Sequence, residues 1–217
     1  MHRLRRVPET VAIILALAVP AGARAGAQQY ELLSASVRAA LAQSVNDRAS
    51  VDMKDLETRA WVRAMTPRVM GRYFTDEETA RSFLGLVRYE SMRAGLDPHV
   101  VLAVIDVESQ FRKYAVSRAG ARGYMQVMPF WTKELGSTEQ ALFSERINLR
   151  YGCTILRYYL VDREHGNLNN ALARYNGSLG QADYPNRVIK AWKARWALEA
   201  DPVFSSRNFK STRPGLS

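Results

Sequence analysis

The chain has 217 residues, 47% of them apolar and 24% charged, with a single cysteine and with 31 Lys and Arg against 21 Asp and Glu. That length and apolar fraction suit one domain with a sizeable core, and one cysteine excludes an internal disulfide framework. The formal charge of +10 suits an anionic partner, but the basic residues are interleaved with acids and no nucleic-acid-binding motif occurs, so nucleic acid is set aside as that partner.

In chain order, residues 1–27 carry Arg3, Arg5 and Arg6, an apolar stretch from Val11 to Val19, and small residues ending in Ala25-Gly26-Ala27. This is the pattern of a secretory signal peptide cleaved after Ala27, with Ala25 as the second site. The apolar stretch is far shorter than the ~20 residues of a membrane span. The expected product is an exported, periplasmic, soluble protein with a net charge of +7, since four arginines and Glu9 leave with the signal.

Residues 28–75 read as a small N-terminal helical extension, with helices expected at about 30–45 and 53–66. A catalytic domain over 76–200 follows, opened by Thr75-Asp76-Glu77-Glu78 as a capping box for a helix over 76–94 that Gly95 closes. Asp97 is the expected N-cap of the next helix, 98–108, with Pro98 at its first position, where a missing N–H costs nothing. Its sequence HVVLAVIDV is apolar on most sides and should be buried.

Glu108 ends that helix. A carboxylate there opposes the helix dipole and is disfavoured by partial burial, and both effects raise its pKa toward that of a proton donor near neutrality. Taken alone, such a glutamate is more often a solvated helix end. The downstream run of Ser117, Gly120, Gly123 and Gln126 shifts the weight toward an acid set in glycine-rich polar backbone. Asp106, the nearest second acid, lies about 200° around the helix and points away.

Further helices are expected at about 129–135, 145–164, 168–176 and 185–198, with Gly136 and Gly166 closing two of them and Pro185 opening the last. Cys153 falls on a helix face with Leu149, Gly152, Leu156 and Leu160, so it reads as a small buried hydrophobe. The tail from Asp201 to Ser217 is rich in Ser, Arg and Pro and reads as disordered. His99 and His165 stand far apart, and neither an HExxH nor a paired-cysteine spacing occurs, so no metal or other cofactor is expected.

Three blocks, in order, resemble the catalytic domain of the soluble lytic transglycosylase (SLT) family: Glu108-Ser109, then Ala119-Gly120-Ala121-Arg122-Gly123-Tyr124-Met125-Gln126-Val127-Met128-Pro129, then Ala173-Arg174-Tyr175-Asn176-Gly177. The resemblance covers about residues 80–196. It departs from the family at Tyr124, usually leucine, and at Arg174, usually alanine. The implied fold is all-α, or α with minimal β, and lysozyme-like. The implied activity is cleavage of the β-1,4 bond between N-acetylmuramic acid and N-acetylglucosamine in peptidoglycan, with 1,6-anhydromuramyl ends formed by Glu108 as sole acid and base.

The resemblance also implies a hydrogen bond from Tyr175 that orients the acid, and sugar or N-acetyl contacts from Ser117, Gln126, Met128 and Asn176. Ser109, next to Glu108, is expected with Tyr175 to orient the acid by tying down the helix end rather than to touch sugar. Peptidoglycan strands are the expected partner and a monomer the expected state, with a partner in an envelope complex or secretion apparatus left open. Two alternatives stand beside this reading: a hydrolytic muramidase on the same fold, which needs a second acid or a positioned water, and a non-catalytic peptidoglycan-binding module.

Overall fold

In the computed structural model, residues 28–31, 33–46 and 55–198 are described. The expected signal peptide and C-terminal tail lie outside them. Eight α-helices account for most of this stretch: α1 (Ala35–Asn46), α2 (Leu56–Val69), α3 (Glu77–Arg93), α4 (Pro98–Ser109), α5 (Phe130–Glu134), α6 (Glu145–Tyr158), α7 (Leu168–Asn176) and α8 (Asp183–Ala191). A 3₁₀ turn, Glu139–Phe143, precedes α6, and π-type turns extend α6 through Arg163 and α8 through Trp196. Among the described residues β pairing is limited to isolated bridges, two of which, Val116 with Arg122 and Arg122 with Val127, fold the loop after α4 back on itself. The fold is all-α, as the sequence implied.

Helix α4 is the axis of the molecule. Val101 through Ile105 are fully buried, and α3, α8 and the turn after α8 pack around them. Asp97 caps α4 by accepting from the His99 backbone N–H at 2.8 Å. The His99 ring is held on both sides: Trp61 donates to Nε2 at 2.9 Å, which leaves Nδ1 as the donor to Asp97 at 2.9 Å. The start of α4 is thereby fixed to α2.

The cap of α3 differs from the expected box. Asp76, not Thr75, is the N-cap, and its carboxylate accepts from the Thr79 N–H at 2.7 Å. A charged acceptor next to the first turn satisfies the free N–H and complements the dipole, so the reciprocal Thr–Glu arrangement is not used. Helix α2 continues through Pro67 to Val69, beyond its expected end before the proline. Burial of Met65 and Val69 on either side holds this turn in place.

Helix α6 carries the second half of the core. Leu149, Cys153 and Leu156 are fully buried on it. Beside them Glu90, fully buried on α3, accepts from Arg150 at 2.8 and 3.1 Å and from Arg93 at 2.9 Å. The same two arginines donate to the carbonyls of Ser44 and Val45, at 2.8 and 3.4 Å, and so moor the end of α1 to the body. Loss of one member of such a network leaves an uncompensated buried charge.

Candidate active site

Glu108 sits in the last turn of α4, and the chain leaves the helix abruptly after it. Gln110 and Phe111 both take left-handed backbone, at φ of 52° and 59°, and the Phe111 ring packs against Tyr73 at 4.4 Å and Trp196 at 5.4 Å. Non-glycine residues hold this conformation only where packing enforces it. The turn aims residues 112–117 across the face of the molecule that Glu108 reaches.

Glu108 lines a cleft of about 550 Å³ with Arg112, Lys113, Tyr114, Ala115, Val116, Ser117 and Gln126. Its carboxyl accepts from the Tyr184 hydroxyl at 2.6 Å. Burial drives the pKa of Glu108 up to about 7, offset in part by the Tyr184 hydrogen bond and by the charge of Arg187. Desolvation wins because, among the described residues, no Lys, Arg or His side chain forms an ion pair with Glu108, and a hydrogen bond alone does not replace lost hydration. A substantial fraction of the group is therefore protonated near neutral pH, where it can either give or take a proton.

The residue donating to Glu108 is therefore Tyr184, and the sequence-based assignment of Tyr175 is corrected. The Tyr175 hydroxyl donates instead to the carbonyl of Met125 at 2.7 Å. A tyrosine has one proton to give, and at 1% exposure Tyr175 lies where the Met125 carbonyl, rather than the carboxylate, receives it. Tyr175 remains within electrostatic reach of the acid: burial raises its pKa well above the ordinary value and the charge of Glu108 adds to the rise. Ser109 likewise does not touch the carboxylate. Its hydroxyl donates to the Ile105 carbonyl at 3.1 Å, one turn back in the helix it closes.

The glycine-rich loop is shaped by one side chain absent from the sequence reading. Asn148 on α6 donates to the carbonyls of Arg122 and Leu142, at 2.8 and 2.9 Å, and accepts from the Met125 N–H at 2.8 Å. Gly123 lies directly over it at φ +75°, where a Cβ would meet the Asn148 amide and stand 2.6 Å from the Leu142 carbonyl. Gly152 leaves the room that Met125 fills: an added Cβ there would come within 2.7 Å of the Met125 Cβ.

Gln126, at φ +48°, spends both amide hydrogens on the carbonyls of Ala115 and Gly123, at 3.2 and 2.9 Å. Its carbonyl oxygen is thus the atom left to meet a ligand. Ser117 closes a turn, accepting the Ala121 N–H on its hydroxyl at 3.1 Å, and lines the Glu108 cleft as well. Asn176 lines a neighbouring cleft of about 590 Å³ with Ser178, Gln181, Asp183, Tyr184, Asn186 and Arg187. Met128 is partly buried, and its N–H donates to Gln28 at 3.2 Å.

The two departures from the family pattern lie away from Glu108. Tyr124 is 4% exposed, and its ring sits 4.5 Å from that of Phe83, so it serves the core. Arg174 pairs with Glu31 and Glu164, each at 2.7 Å, and is neither a solvated cation nor an open binding group. Asp106 faces the other way, as its helical offset requires, and is bound by Tyr73, Arg195 and Trp196. Among the described residues no cluster of His, Cys, Asp and Glu could hold a metal ion.

The chain is 36% identical over 107 residues to a transglycosylase of Enterobacteria phage PRD1, covering 46% of this chain and 39% of that protein. It is 33% identical over 124 residues to the membrane-bound lytic murein transglycosylase C of Photorhabdus laumondii, covering 48% of this chain and 33% of that protein. The same-named protein of Actinobacillus pleuropneumoniae is 49% identical over 53 residues, covering 24% of this chain and 14% of its own length. The chain thus spans two fifths or less of the length of these relatives. Residues 85–195, running from α3 to the turn after α8, match the transglycosylase SLT domain, and the chain belongs to that family.

Proposed function

We propose that the protein is a peptidoglycan lytic transglycosylase in which Glu108 performs both proton transfers. Protonated, it gives its proton to the oxygen linking N-acetylmuramic acid to N-acetylglucosamine, and the C1–O bond breaks. As carboxylate it then takes the proton from the muramyl C6 hydroxyl, whose oxygen bonds to C1. The products are a 1,6-anhydromuramyl end and a free N-acetylglucosamine hydroxyl, and no water is consumed.

The observation that carries this reading is a desolvated glutamic acid, its pKa near 7, in a cleft that no second carboxylate lines. A two-carboxyl glycosidase needs a partner acid across the bond; Asp106, two residues away, is turned into the protein and paired with Arg195 at 2.6 Å. Ser117, Gln126, Met128 and Asn176 supply hydroxyl, amide and thioether groups suited to a neutral sugar and its N-acetyl arm, and Tyr184 sets the rotamer of the acid. Lys113 and Arg112 beside the cleft suit the carboxylates of wall peptides. A hydrolytic reaction is the alternative, with exposed Asp183 in the neighbouring cleft as its candidate second acid.

The setting we propose is the periplasm, reached through the 1–27 signal, with residues 28–75 as an extension on the catalytic domain of a monomer. Among the described residues no helix is long and apolar enough to cross a membrane. Mass spectrometry of fragments released from purified peptidoglycan tests the reaction. Anhydromuramyl ends are expected; reducing ends would make the protein a muramidase, and binding without release would make it a wall-binding module.

A further inference from the structure

Residues 28–31 lie outside the matched SLT domain yet are fastened to its two downstream motif blocks. Gln28 is 4% exposed. Its Oε1 accepts from the Met128 N–H at 3.2 Å. Gln29 donates to the Gly177 carbonyl at 3.4 Å, next to Asn176. Tyr30 donates to Glu134 at 3.0 Å and meets Phe130 edge-on, and Glu31 pairs with Arg174 and Arg163 at 2.7 and 3.1 Å. Four consecutive residues thus form a strap over the backbone between Met128 and Gly177.

The end of a glutamine side chain is a carboxamide, the same set of polar atoms as the acetamido arm carried by both sugars of a peptidoglycan strand. A backbone N–H that donates to the carbonyl oxygen of one can donate to that of the other. We propose that Gln28 occludes the groove, its carboxamide holding an acetamido position, so that a glycan passes Met128 and Asn176 only by displacing the strap. This rests on the glycan-binding reading above. The fit of Gln28 is incomplete: its buried Nε2 has no hydrogen-bond partner. A buried donor left unmet weakens the hold of the strap, so a ligand that satisfies the same N–H can exchange for it.

The test is a titration with tri-N-acetylchitotriose, followed by calorimetry, together with initial rates on purified peptidoglycan. Gln28→Ala removes the competitor, and Tyr30→Ala removes an anchor of the strap that lies away from Met128 and Tyr175. With one hydrogen bond in play, Gln28→Ala is expected to lower the Kd for the trisaccharide and the KM for peptidoglycan by about 2- to 10-fold at unchanged kcat. Tyr30→Ala should move both the same way by less, with thermal unfolding confirming that each variant is folded. A Kd that is unchanged or raised in both variants overturns the proposal, as does a trisaccharide that binds none of the three proteins. Tighter sugar binding without anhydro products would retain the strap and reject the lytic reaction.

Discussion

Asp106 and Glu108 stand two residues apart on the same helix, and the protein treats them in opposite ways. Asp106 is met by the Arg195 guanidinium at 2.6 Å, the Tyr73 hydroxyl at 2.8 Å and the Trp196 indole at 3.2 Å. Glu108 is also largely withdrawn from water, but among the described residues its one hydrogen-bond partner is a neutral hydroxyl. The difference teaches that burial alone does not make an acid reactive. Burial without a paired cation does, because the protonated form is then the cheaper one to keep.

The sharpest way to break this comparison is Glu108→Gln. The amide fills the same space and still accepts from Tyr184, but it has no proton to give. General acid–base catalysis is worth roughly 10² to 10⁴, and with both transfers resting on one group, kcat on peptidoglycan should fall by at least ~10³ while sugar binding persists. Activity within a few-fold of the parent would remove Glu108 from the mechanism.

Asp106→Asn probes the other side of the pair. It leaves Arg195 without its anion and the Tyr73 and Trp196 donors with a weaker acceptor. Because the Arg195 side chain is 42% exposed, the loss should stay below that of a fully buried pair, at about 2 kcal/mol by urea unfolding, with activity per folded molecule retained. Loss of kcat without loss of stability would mean that Asp106 takes part in the chemistry.

A third effect follows from the sign of the Glu108 shift. The folded protein holds this proton up to about pH 7, whereas the ordinary carboxyl releases it near 4.5. Between those values the folded state binds more protons than the unfolded one, so this group's contribution to stability declines as pH rises. Glu108→Gln escapes that decline. Relative to the parent it should gain about 3 kcal/mol between pH 4 and pH 8, and denaturant melts of both proteins at the two pH values decide it. A stability difference independent of pH would show that Glu108 is not desolvated.

The smallest effect separates the two tyrosines. Tyr184→Phe removes the bond that lowers the pKa of the acid, so the fall in activity on the alkaline side should move to higher pH, and kcat should drop about tenfold through loss of rotamer control. Tyr175→Phe removes a donor from the buried Met125 carbonyl. It should cost about 1 to 3 kcal/mol of stability and leave the pH profile where it was. Were the profile to move with Tyr175 and not with Tyr184, the assignment made from the motif would be restored.

Much of this architecture is written in local chemistry. The Asp97-Pro98 start and the unbroken apolar run after it define α4 without reference to any other segment, and the αL glycines at 95, 136 and 166 end their turns as their conformational freedom allows. The face of Leu149, Gly152, Cys153 and Leu156 is buried as its spacing requires. Asp106 could be turned away from Glu108 by counting residues around a helix. These features depend on neighbours within a few positions, where periodicity and capping hold whatever the fold.

Other features arise only when distant segments meet. Tyr184 is 76 positions from Glu108, and nothing around Tyr184-Pro185 marks it as the donor to an acid on another helix, while the motif pointed to Tyr175. Asn148 reads as one more polar residue on α6 until the loop at 122–125 closes over it. Gln28, which the sequence sets just past the expected signal peptide, reaches Met128 because α1 and the residues leading into it dock on Arg174, Glu134 and Met128. The sequence alone determined most of the helices and the family, and it pointed to Glu108 as the candidate acid, since these follow from short-range pattern. The tertiary structure decided which hydroxyl holds the acid, which amide shapes its loop and what lies across its groove, because each is a choice among chemically equivalent partners that only three-dimensional proximity can make.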